Sequence, residues 1–239
     1  MAAVLPKPLG VGTSVGVVAH HRIGVVAFLC VLAQLGVLTL VLRQFQIEGP
    51  AFLRLWLLAL AGFAVHAFLP LQMRLPFFLA LSLAGIALVL GFVNAAWLVA
   101  LGLVLIGICH LPIAFRARIA LLVGVAAVLI AQRGQWLQGP WPEAIWPILG
   151  SMFMFRLIVY LYDLRHEKAP ASPVRALSYF FMLPNVCFPL FPVVDYKTFR
   201  RNYYDDDAYR IYQVGVDWIV RGVIHLLLYR VGYYYRTRA

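Results

Sequence analysis

From Leu75 to Phe115 the chain runs 41 residues without a single Asp, Glu, Lys or Arg. Crossing the hydrocarbon layer of a bilayer takes about 20 apolar residues, so this run is too long for one crossing and fits two. Gly91 and Asn94 mark the tight turn between them. The rest of the chain agrees with that reading. It is 64% apolar and 12% charged, with a mean hydropathy of +0.88, whereas soluble domains carry about 25% charged residues. The expected fold class is all-α: a polytopic transmembrane helix bundle of six to eight spans at about 20 residues each.

The first apolar stretch, Ile23 to Leu42, lies between Arg22 and Arg43. It is too long for a signal-peptide core and no small-residue cleavage site follows, so it is expected as a retained first span. The second span runs from Phe52 to Leu69 and Pro70 closes it. Arg116 and Arg118 interrupt the start of a fifth span near Ile113 to Gln132. Arg133 to Glu143, with two glycines and two prolines, reads as a loop, and Ala144 to Leu164 as a sixth span.

The net charge of +11 raises nucleic acid as a partner. The placement of the charges argues against it, because basic residues flanking apolar spans are the positive-inside signature. With the N-terminus inside, eight Lys and Arg flank inside segments and three, Arg43, Arg54 and Arg133, flank outside ones. Cys30, Cys109 and Cys187 lack metal-ligand spacing and sit in apolar runs, as small buried hydrophobes do. The six histidines form no metal pattern; His66 and His110 are candidates to pair across helices.

Composition divides the chain into 1–149, bland transmembrane helix, and 150–239, a polar-lined membrane region. All 12 tyrosines lie at or after Tyr160, and residues 150–239 hold 12 of the 20 basic and seven of the nine acidic residues. Tyr179 to Tyr196, YFFMLPNVCFPLFPVVDY, places Pro184, Pro189 and Pro192 in an apolar run with Asn185 and Cys187. Each proline removes a backbone donor and clashes with the preceding turn. Broken backbone at membrane depth survives only where protein buries it or where it lines a cavity. A kinked or re-entrant element is therefore expected here.

Arg156, Tyr160 and Asp163 follow offsets of four and three, which puts them on one helical face. A charge at membrane depth faces the bundle interior, so Arg156 is either the partner of a buried acid or part of a polar cavity. Lys197, Arg200 and Arg201 interleave with aromatics as an interfacial belt does, or as a surface for an anionic partner does. From Asp206 to Arg230 a further helix is expected, with Asp206, Arg210, Gln213, Asp217, Arg221 and His225 in one stripe. Such a stripe lines an internal cleft or, over its first half, lies in the interface plane.

The stretch SMFMFRLIVYLYDLRHEK, followed by YFFMLPNVCFPLFPVVDYKTFRRNYY, resembles the middle region of bacterial membrane-bound O-acyltransferases. The likeness covers about 80 residues, with residues 1–149 matching only as generic spans. It implies transfer of an acyl group from a thioester donor, acyl-CoA or an acyl-carrier protein, to a hydroxyl acceptor in a bacterial inner membrane. Candidates for the substrate path are Arg156, Tyr160, Asp163, Asn185, Asp217, Arg221 and His225. The family's catalytic histidine lies in a later apolar helix. His225 stands in the wrong relation to the proline segment to take that role, so the expectation is the N-terminal portion of an acyltransferase lineage, lacking the catalytic histidine in this chain, with no bound cofactor. A non-catalytic membrane scaffold or partner subunit, and a small transporter, are the competing classes.

Overall fold

A computed structural model describes residues 24–45, 49–139, 143–146, 148–166, 172–182, 196 and 208–238. Among them are eight α-helices and no strand: α1 (Val25–Gln44), α2 (Pro50–His66), α3 (Leu71–Leu90), α4 (Phe92–His110), α5 (Phe115–Arg133), α6 (Met154–His166), α7 (Pro173–Phe180) and α8 (Ala208–Arg238). Five of these, α1, α3, α4, α5 and α8, are long and apolar enough to cross a membrane, and α2 is a shorter apolar helix. The chain is an all-α membrane bundle.

Helix boundaries follow local chemistry. Pro50 opens α2 and Pro173 opens α7 at first-turn positions, where the missing N–H has no intrahelical partner to lose. Gly91 joins α3 to α4 at φ 79°, ψ 158°, a region that residues with a Cβ essentially never enter. The Asn94 amide then donates to the Leu90 carbonyl at 2.8 Å, satisfying one of the acceptors that the end of α3 leaves open. The turn expected at Gly91 and Asn94 is there. Arg116 and Arg118 do not interrupt a span; they sit in the first turn of α5. Arg118 donates to the Cys109 carbonyl at 3.2 Å, placing a cation on the C-terminal end of α4.

The expected sixth span, Ala144 to Leu164, is not one regular helix. A 3₁₀ turn at Glu143–Ile145 and a π-helical turn at Ile148–Phe153 precede α6. A π turn widens the backbone, and such turns cluster at functional positions. The buried helix α7 packs on α3. The C-terminal helix runs to Arg238 rather than ending near Arg230.

Among the described residues two cores hold the bundle. The larger gathers α3, α4, α6 and α7 around Leu98, Cys109, Tyr160, Tyr179 and Phe180, with Tyr196 added. The smaller is a seam between α1 and α8, with α2 against it. On α1 the buried residues are Val31, Leu35, Leu38 and Leu42, offsets of 4, 3 and 4 that form one helical stripe. Val216 and Val223 answer them from α8. Because lipid is as apolar as leucine, close packing and interhelical hydrogen bonds hold such seams. Trp56 donates its indole N–H to the Thr39 hydroxyl at 2.7 Å, which in turn donates to the Leu35 carbonyl at 2.7 Å. His66 Nδ1 and the Tyr212 hydroxyl share a hydrogen bond of 2.7 Å between α2 and α8. Gly62 lets α2 approach α3: a Cβ there would lie 2.3 Å from Leu81 Cδ2.

Candidate functional site

The polar centre of the larger core is built on α6. Arg156 is 2% exposed, and its guanidinium donates to the carbonyls of Tyr179 and, at 3.2 Å, Phe180. Those are the carbonyls that the C-terminus of α7 leaves open, at the negative end of its dipole. The guanidinium carbon also lies 5.0 Å from the Tyr179 ring centroid, a cation–π distance. Among the described residues its partners are a helix end and an aromatic face, not a buried acid.

One turn on, Tyr160 is fully buried. Its ring meets Phe180 at 5.0 Å and Tyr196 at 5.1 Å, both edge to face, and Tyr179 at 6.2 Å, stacked. Its hydroxyl hydrogen-bonds His110 Nε2 at 2.9 Å. His110 ends α4 and its side chain is exposed, so the pair connects a buried phenol to the outside of the bundle. His66 and His110 do not pair with one another; each takes a tyrosine on another helix.

Tyr179 and Tyr196 bracket the proline segment, and their ring centroids are 5.4 Å apart. Residues on both sides of that segment therefore belong to the same aromatic core. The prolines, Asn185, Cys187 and the basic cluster at Lys197, Arg200 and Arg201 lie outside the described residues, as do Asp205, Asp206 and Asp207.

Of the substrate-path candidates, Arg156 and Tyr160 come together in this core, while Asp163 sits half-buried near the end of α6. The α8 stripe does not join them. Asp217 and Arg221 pair with each other at 2.8 Å and are 54% and 61% exposed. His225 is exposed and its Nδ1–H donates to the Arg221 carbonyl at 2.7 Å. The packed face of α8 is the row Tyr212, Val216, Ile219, Val223 and Leu227. The polar stripe stands about 140° around the helix from it. The internal cleft expected from that stripe is absent among the described residues. The apolar row complements α1, and the charges satisfy one another along their own helix.

Sequence reasoning passed over His110, Tyr179, Phe180 and Tyr196 as parts of one site. The available signal was the concentration of tyrosine after residue 160; the partners on α4 and α7 have no fixed spacing from Arg156. Among the described residues no three His, Cys, Asp or Glu side chains gather as a metal site. Compared with known proteins, the chain matches no family model, no curated protein and no solved structure.

Proposed function

We propose that this chain is an integral membrane protein of the O-acyltransferase lineage, working in a bacterial inner membrane with an acyl thioester as donor and a hydroxyl as acceptor. One observation carries the reading: Arg156 and the ring pair Tyr179–Tyr196 tie both ends of the proline-bearing segment to a single buried aromatic core. The three prolines of that segment lead one to expect broken backbone, and broken backbone at membrane depth survives only where protein buries it or it lines a cavity. The motif that resembles the acyltransferases is the one so anchored. His110, hydrogen-bonded to Tyr160 at 2.9 Å, supplies an imidazole at the mouth of this core, the group type that proton transfer from an acceptor hydroxyl uses most often.

The experiment is thermal unfolding of the detergent-purified protein with acetyl-CoA, longer acyl-CoAs, or free CoA. A donor at 100 times its dissociation constant stabilises by about 2.7 kcal/mol, which raises Tm by roughly 5–10 °C in a chain of this size. An acyl-CoA that shifts Tm while free CoA does not supports the reading. No shift with any thioester at millimolar concentration removes it.

A second reading, a non-catalytic partner subunit, is favoured by the outward stripe on α8. Charged side chains on a membrane helix normally face protein or water, and a neighbouring subunit is one way to supply that. Asp217→Leu with Arg221→Leu then strips a stoichiometric second chain from the purified protein; an unchanged composition counts against it.

A further inference from the structure

The helices α5 and α6 both pack on α4, but between them runs an open groove of ≈ 310 Å³. Leu105 and Leu157 form its floor, and Leu122, Ala126, Ile158 and Leu161 belong to its walls. No residue of α5 is buried, and one side of this helix is left exposed among the described residues. At one end the groove meets a second, polar recess of ≈ 740 Å³ lined by Gln132, Arg133, Gln135, Gln138 and Glu143. Arg133 and Trp146 line both spaces.

We infer that this groove and recess bind one glycerophospholipid with a zwitterionic headgroup, a phosphate followed by a terminal primary ammonium. The apolar groove takes an acyl chain, which gains about 0.8 kcal/mol per buried CH₂ wherever it leaves water; the polar recess decides which lipid stays. The order of charges along the path is the order of the headgroup. Arg133 stands at the junction, where the phosphate of a lipid seated in the groove falls, and a guanidinium binds phosphate in a two-pronged fashion. Glu143 lines only the outer recess, where the ammonium falls. No ion pair joins Arg133 to Glu143 among the described residues, so each charge is open to a ligand.

Three further features mark the recess as built. The Gln132 side-chain oxygen is buried without a hydrogen-bond partner, and a buried amide without a partner is costly unless a ligand or water supplies one. Gln135 holds φ 61°, the one described residue other than glycine with positive φ. That conformation carries a cost of order 1 kcal/mol for a side chain with a Cβ, and such costs gather at ligand sites. Trp146, half-buried at the junction, is the residue type that settles at the headgroup level.

The test is native mass spectrometry of delipidated protein offered dioleoylphosphatidylethanolamine or dioleoylphosphatidylglycerol at equal concentration. The expected result is one retained phosphatidylethanolamine per chain and about tenfold less phosphatidylglycerol, whose headgroup lacks the ammonium. Arg133→Gln and Glu143→Gln each lower the retained phosphatidylethanolamine by about tenfold. Both side chains are exposed, so these variants fold. Ala126→Phe fills the groove and abolishes retention. Equal retention of the two lipids, or full retention in both charge variants, overturns the proposal and leaves unspecific boundary lipid. The readout is independent of acyl transfer.

Discussion

Arg156 grips Tyr179 twice, through that residue's carbonyl oxygen and through its ring, whose centroid lies 5.0 Å from the guanidinium carbon. A single side chain thus closes the C-terminus of α7, holds a cation at its negative end and seats an aromatic of the core. Lysine does not copy this. One guanidinium nitrogen, Nη1, reaches both carbonyls while the planar group stands over the Tyr179 ring, and the shorter ammonium has no flat face to set against that ring.

The first prediction follows from that difference. Arg156→Lys keeps the charge, but its shorter head draws back from the two carbonyls and from the ring face, at a cost of about 1–3 kcal/mol. Tyr179→Phe keeps the carbonyl and the ring face, and is expected to cost less. Tm of the two variants in the same detergent checks the order; a Lys variant as stable as the parent means that the helix end finds another donor.

Tyr160 and His110 give a second test. Tyr160→Phe keeps the ring contacts to Phe180 and Tyr196 and removes only the bond to His110. A hydrogen bond of this kind between membrane helices is worth about 0.6–2 kcal/mol. His110→Ala removes the same bond from the other side. In a double-mutant cycle the two losses fail to add by about that amount. Strict additivity indicates that the 2.9 Å contact contributes nothing.

Gly91 and Gly62 are demanded for different reasons, and alanine separates them. At Gly91 a Cβ meets no atom within 4 Å, but φ is +79°. Gly91→Ala therefore costs backbone strain of about 1–3 kcal/mol with no packing clash. At Gly62 the backbone is ordinary helix, and the obstacle is the Leu81 side chain at 2.3 Å. Leu81 can rotate away from a methyl, so Gly62→Ala is the milder change, whereas Gly62→Leu overpacks the α2–α3 contact by about 1–3 kcal/mol. Tm values ranking Gly91→Ala below Gly62→Ala confirm the distinction; the reverse order contradicts it.

These contrasts mark what a reader of the sequence can and cannot see. Charge-free length gives the helices, and Gly91 gives their turn, because both signals are local. The stripe on α8 is equally visible, but Asp217 and Arg221 point outward rather than into a cleft. Polar residues at offsets of three and four mark a face, but the partner of a helix decides which face turns inward. Here α1 presents Val31, Leu35, Leu38 and Leu42, and an apolar row on α8 matches it. The pairing of Asp217 with Arg221 then removes the need for an inward polar face. Arg156 shows the complementary limit. Its burial follows from one charge at membrane depth, but its partners are backbone carbonyls, which every residue carries and no sequence pattern distinguishes. The break at Ile148–Phe153 is likewise silent, since an apolar stretch reads the same in α and π form.

Gln135 ends α5 in an arrangement that normally takes glycine. Its N–H bonds the Gln132 carbonyl at 3.0 Å, and the Trp136 N–H reaches back to Ala131 at 3.0 Å, the double closure of a Schellman motif. Its φ of 61° places it where glycine sits without strain. Gln135→Gly is therefore expected to raise stability by about 1 kcal/mol. The same change removes an amide from the polar recess, so it is expected to weaken retention of phosphatidylethanolamine while raising Tm. Stability and binding moving in opposite directions identify a residue kept at a conformational cost for a ligand. If Tm rises and lipid retention stays unchanged, Gln135 is strained for some other reason, and the recess is defined by Arg133 and Glu143 without it.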